Sequence, residues 1–101
     1  MATSTRERER VFCAVAEERN YQDVKWGSIS DLSHTVGEWL LIMQGELEEA
    51  CQAWRKGTGD IAALAEIVQV AAVAVACMEQ HGTVNRRGQW SPARQPQEEA
   101  P

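Results

Sequence analysis

The first proline of this 101-residue chain is Pro92, and wherever its apolar residues show a period it is the helical one. No segment alternates apolar and polar residues in the manner of a half-buried strand, so the chain reads as all-α. Domains usually need roughly 100 residues, which leaves room for one. A chain this short buries only about 60 to 70% of its unfolded surface, so assembly with further copies is an expected source of extra core.

The first helix is expected over about 5–19, opened by Ser4 with Glu7 at capping-box spacing. Residues 20–33 contain Asn, Asp, Gly and Ser and read as a connection that carries Tyr21, Lys25 and Trp26-Gly27. A second helix starts near Ser33 to Thr35, where Thr35 and Glu38 repeat the capping-box spacing, and stops at Gly57 after Arg55 and Lys56. Its stripe of Val36, Trp39, Leu40, Met43, Leu47, Ala50 and Trp54 steps by three or four throughout.

The third helix is expected from Asp60, read as its N-cap, to Gly82. Ile61, Leu64, Val68 and Val75 point one way and Val70, Val73 and Cys77 nearly the opposite way. A helix apolar on two sides must be covered on two sides, which predicts a homodimer or homotetramer built on it. The short link at Gly57 to Asp60 makes the second and third helices an antiparallel hairpin. The expected architecture is therefore this hairpin plus an N-terminal helix, completed to a bundle by oligomerisation. Residues 1–82 form the domain, and 83–101, with Arg86, Arg87 and three prolines, read as a polar disordered tail.

Ten Lys and Arg against fifteen Asp and Glu give a net charge of −5, which argues against a surface that tracks a nucleic-acid polymer. Cys13, Cys51 and Cys77 are isolated and form no zinc pattern. The N-terminus lacks a secretory signal's apolar stretch, and 62–78 falls short of the ~20 residues of a membrane span. The expected setting is cytoplasmic, without membrane contact.

The chemistry concentrates on the hairpin. Glu46 and Glu49 lie three apart on one side of the second helix. Glu66 and Gln69 are the strongly polar residues of the apolar run that begins at Ile61. Counted outward from the turn, these four groups fall at one height, roughly 15 Å along the axis at ~1.5 Å per residue. A carboxylate among apolar side chains is costly unless paired or metal-bound, and no Arg or Lys of the two helices shares that level. The oxygen set suits Mg²⁺, which keeps waters for a phosphate substrate. His34 and His81 do not complete the E-x-x-H pattern of a di-iron bundle.

With Glu46-Leu47-Glu48-Glu49 on one helix and Glu66-Ile67-Val68-Gln69 on the next, the chain resembles the MazG-like, all-α nucleoside triphosphate pyrophosphohydrolases, whose mark is E-x-x-E followed by E-x-x-D. Arg19-Asn20-Tyr21-Gln22-Asp23-Val24-Lys25-Trp26-Gly27 resembles a stretch upstream of the carboxylate helix in a phage and bacterial branch of that family. Gln69 stands where the family carries Asp, and Gly45 where many members carry a further Glu. The resemblance implies Mg²⁺-dependent cleavage of a nucleoside triphosphate to monophosphate and pyrophosphate. Glu46, Glu49, Glu66 and Gln69 would then hold the metal, with Glu46 or Glu49 taking a proton. Lys25, Arg55 and Lys56 are the expected polyphosphate contacts, and Trp26 the expected stacking surface for the base. A scaffold of the same kind that only binds a nucleotide or a protein is the alternative.

Overall fold

The computed structural model describes residues 2–27, 33–57 and 59–93. Among the described residues three helices carry the fold, α1 (Ala2–Trp26), α2 (Val36–Arg55) and α3 (Asp60–His81), followed by two short strands, β1 (Thr83–Val84) and β2 (Trp90–Ser91). The chain is mostly helical, as its periodicity requires.

α1 is longer than the expected 5–19. It begins at Ala2, ahead of Ser4, and residues 20–26, read above as a connection, continue it to Trp26. Nothing between Arg19 and Trp26 breaks a helix, and the terminator is the first glycine, Gly27, at φ 92°. Tertiary bonds hold the extension. Arg19 donates through Nε and Nη2 to Glu79 Oε1 at 3.0 and 2.9 Å, and through Nη1 to Asp23 Oδ1 at 2.8 Å. Gln22 Nε2 donates to the Gln69 carbonyl at 3.4 Å. Arg19 and Gln22 are only 6% and 3% exposed, so α1 is fastened to α3 by polar side chains removed from water.

α2 opens on the expected capping box. Thr35 Oγ1 accepts from the Glu38 N–H at 3.1 Å, and Glu38 Oε1 accepts from the Thr35 N–H at 2.8 Å. Lys56 caps its far end, and Gly57 turns the chain away at φ 70°. On α3 the N-cap is Gly59 rather than Asp60, which is the first helical residue and places its carboxylate where the helix dipole favours an anion.

Residues 83–91, expected to be disordered, instead form a β-hairpin with Thr83 opposite Ser91 and Val84 opposite Trp90. Asn85 Oδ1 accepts from the N–H groups of Arg87 and Gln89 and shapes the turn. Trp90 Nε1 donates to the His81 carbonyl at 3.1 Å, folding the hairpin back on the end of α3. Gly82 permits this approach: at φ 92°, a Cβ there would stand 2.2 Å from the Ser91 carbonyl oxygen. The rest of the expected tail, 94–101, lies outside the described residues.

The core lies between α2 and α3, where Trp39, Val73 and Ala76 are buried with Ile42, Met43 and Cys77 against them. Trp39 Nε1 donates to Gln80 Oε1 at 2.8 Å, and the His34 ring meets the Trp39 ring edge-on at 4.9 Å. α3 also buries Ala63 and Ala72, whose small side chains let neighbouring helices come close. Its 22 residues make it long and apolar enough to cross a membrane by length and composition, which the shorter stretch 62–78 was not. Its buried residues nonetheless pack on protein, and Glu66 interrupts its apolar run.

Candidate metal centre

Glu46 and Glu49 on α2 and Glu66 on α3 converge: each offers a carboxylate oxygen, and these atoms lie within 4.8 Å of one another. Glu46 and Glu66 are half-buried and Glu49 is exposed, so the cluster has an inner wall and an open side. Glu46 Oε2 and Glu66 Oε2 are both out of reach of water and have no hydrogen-bond partner. A desolvated carboxylate oxygen without a donor costs free energy that a cation would recover.

The cluster alters the titration of its inner member. Burial pushes the Glu46 carboxyl above the ordinary carboxylate range, and repulsion from Glu49 and Glu66 adds to it. Lys25 acts in the opposite direction, and Glu18 raises it further. A carboxyl that binds its proton more tightly in the folded chain stabilises the fold at low pH. That contribution is lost as pH rises from about 4 through the raised value. In metal-free buffer, Glu46→Gln is therefore expected to be more stable than wild type at neutral pH, with the difference shrinking toward pH 4. Urea unfolding of both proteins across that range measures it, and a pH-independent difference would contradict it.

The other expected site residues divide into two groups. Lys25, exposed at the end of α1, acts on Glu46 and holds its Nζ 5.4 Å from the centre of the Trp26 ring. Trp26 lines a cavity of about 390 Å³ with His34, Trp39, Ile42 and Val73, and Glu46 stands in its wall. Gln69 is half-buried on α3, where its backbone carbonyl receives Gln22. Arg55 is not brought to the carboxylates: its Nη1 pairs with Glu48 Oε2 at 3.1 Å, and it lies roughly 9 Å further along α2 than Glu49. Lys56 is exposed beside it at the turn.

Sequence reasoning quotes Arg19 and Gln22 only as part of the stretch upstream of the carboxylate helix and gives neither them nor Glu18 a role. Glu18 joins the field on Glu46, while Arg19 and Gln22 fix the part of α1 that leads to Lys25 and Trp26. The available signal was a polar stripe of Glu18, Gln22 and Lys25 at i, i+4 and i+7, uninterrupted by Gly or Pro. The chain matches no family model, no curated protein and no solved structure.

Proposed function

We propose that the protein hydrolyses a nucleoside triphosphate to the monophosphate and pyrophosphate with Mg²⁺, as a MazG-like, all-α enzyme working as a homodimer or homotetramer. The observation that carries the reading is the unpaired carboxylate cluster, two of whose oxygens are desolvated without a donor. α2 and α3 act as an antiparallel hairpin that presents it. An all-oxygen, acidic donor set fits a hard divalent cation. Glu46, Glu49 and Glu66 would hold the ion, with the Gln69 amide oxygen as a neutral fourth donor. When bound, Mg²⁺ supplies charge neutralisation at the phosphate oxygens and a more acidic water.

Glu49, the exposed member, is open to a water that attacks the α-phosphorus and would take its proton, with Glu46 the other carboxylate available for that role. The bond from that phosphorus to the bridging oxygen breaks, and pyrophosphate leaves. Lys25 brings a positive charge near the cluster for the polyphosphate, whereas Arg55, paired with Glu48, and Lys56 beside it stand at the turn away from the carboxylates. The apolar cavity beside Glu46 gives the base a place against Trp26.

The test follows pyrophosphate release from ribo- and deoxyribonucleoside triphosphates, with and without Mg²⁺, in wild type and Glu49→Ala. Release that needs both Mg²⁺ and Glu49 is expected; no release from any nucleotide, with no metal-dependent thermal shift, would overturn the reading. Gln69 favours a second reading, a MazG-like scaffold that binds a nucleotide or protein partner without turnover, because an amide replaces an anionic ligand at that position. Gln69→Asp separates the two. On the enzyme reading it tightens Mg²⁺ binding and raises an activity already present; on the binding reading it creates activity that wild type lacks.

A further inference from the structure

We infer that Gln80 and His81, at the end of α3, are positioning residues for nucleotide binding: together they clamp the backbone of His34 and so set one wall of the cavity beside Trp26 and Trp39. The inference rests on the placement of the base in that cavity under the proposed function, and it does not depend on turnover.

His34 stands just ahead of Thr35, the N-cap of α2, so its backbone lies outside the helical ladder, which opens with the bond from the Trp39 N–H to the Thr35 carbonyl at 3.0 Å. Its polar groups need other partners. Side chains 46 and 47 residues away supply them: the His34 N–H donates to Gln80 Oε1 at 3.2 Å, and the His34 carbonyl lies 2.7 Å from His81 Nε2. A carbonyl can only accept, so Nε2 carries the proton and His81 is the donor. Gln80 Oε1 also accepts from the Trp39 indole N–H at 2.8 Å. One oxygen thus fixes the backbone of one cavity-lining residue and the ring of another, and the two rings form a T-shaped pair at 4.9 Å.

The clamp is braced from behind, because the His81 carbonyl accepts from Trp90 Nε1 at 3.1 Å and ties the β-hairpin to the residue that holds His34. His34, Gln80 and His81 are all half-buried, which shields these bonds from competing water. The start of α2 and Glu46 stand roughly 15 Å apart along the helix at ~1.5 Å per residue, so the clamp acts at the end of the cavity away from the carboxylates. Loosening it removes binding that the nucleotide and its transition state share. Such a loss raises KM and spares kcat.

Variants of the full chain test the inference: His81→Leu and Gln80→Leu each remove a clamp bond, and His81→Gln keeps an N–H donor at similar reach. In Mg²⁺-dependent pyrophosphate release, both leucine variants are expected to raise KM roughly tenfold with kcat within about twofold of wild type, and His81→Gln to recover most of the wild-type KM. Calorimetric titration of ribo- and deoxyribonucleoside monophosphates with Mg²⁺ should give the same order of affinities. In the ligand-free protein, amide hydrogen exchange at His34 should be roughly tenfold faster in Gln80→Leu than in wild type, at equal helicity by circular dichroism. Wild type gives a readout that no substitution can spoil: a bound monophosphate should shift the NMR signals of the His34 ring.

Unchanged KM and monophosphate affinity in both leucine variants, a fall in kcat in place of the rise in KM, or His81→Gln no better than His81→Leu would overturn the inference. So would equal exchange at His34 in wild type and Gln80→Leu, or a His34 ring indifferent to every monophosphate. A wild type that releases no pyrophosphate sinks the enzyme reading alone, and the titrations and His34 signals then decide the clamp. Turnover with the same KM in every variant does the reverse.

Discussion

Glu66→Gln is expected to lower Mg²⁺-dependent pyrophosphate release by roughly 100-fold or more, about 2.7 kcal/mol of transition-state stabilisation. The substitution keeps the shape of the side chain and removes one negative charge from a cluster whose donor oxygens lie within 4.8 Å. Its effect on stability has the opposite sign. Glu66 Oε2 is buried without a partner, and Glu66 repels Glu46 across the cluster. In metal-free buffer Glu66→Gln should therefore unfold at a higher urea concentration than wild type, and added Mg²⁺ should reverse the order. An ordinary structural glutamate would lose stability without gaining it back from metal removal, so steady-state assays and urea curves on the same two proteins separate the cases.

Trp39→Ala has the largest expected effect on the fold, a loss of about 3 to 5 kcal/mol. Trp39 is the large side chain of the core cluster, packed with Val73 and Ala76. Its indole N–H also ties the start of α2 to Gln80 near the end of α3, and its ring makes a T-shaped pair with that of His34. A domain of this size has a total stability of about 5 to 15 kcal/mol, so the variant should lose most of its cooperative unfolding transition. Circular dichroism during urea titration measures the change. A midpoint within experimental error of wild type would mean that the stability of the chain resides elsewhere.

The legible parts of the chain are those whose signals are local. α2 is bounded by a capping box at Thr35 and Glu38 and by Gly57, with a continuous stripe between, and the structure follows these signals closely. The carboxylate cluster is legible for a related reason. Glu66 stands in an apolar run, and counting from a short turn sets it level with Glu46 and Glu49. The end of α1, residues 20–26, is not legible in this way, because the bonds that hold it run from Arg19 and Gln22 to partners on α3, 60 and 47 residues away. Composition reads such residues as solvated loop.

Arg55 is the converse case. Spacing sets it near the cluster in sequence, but a helix projects side chains sideways, and Glu48, two turns earlier, captures its guanidinium. The hairpin at Thr83 to Ser91 escaped notice because its strands are only two residues long, too short to show an alternating pattern. What fixes it is the approach of Ser91 to Gly82 and the bond from Trp90 to His81.

The proposed metal centre is tested most directly by calorimetric titration of Mg²⁺ into wild type and Glu66→Gln, without nucleotide. A saturable heat in wild type that is lost in Glu66→Gln, while circular dichroism shows both proteins equally helical, is the predicted result. No saturable heat in wild type, or the same heat in both proteins, would contradict the assignment of Glu46, Glu49 and Glu66 as a divalent-cation site.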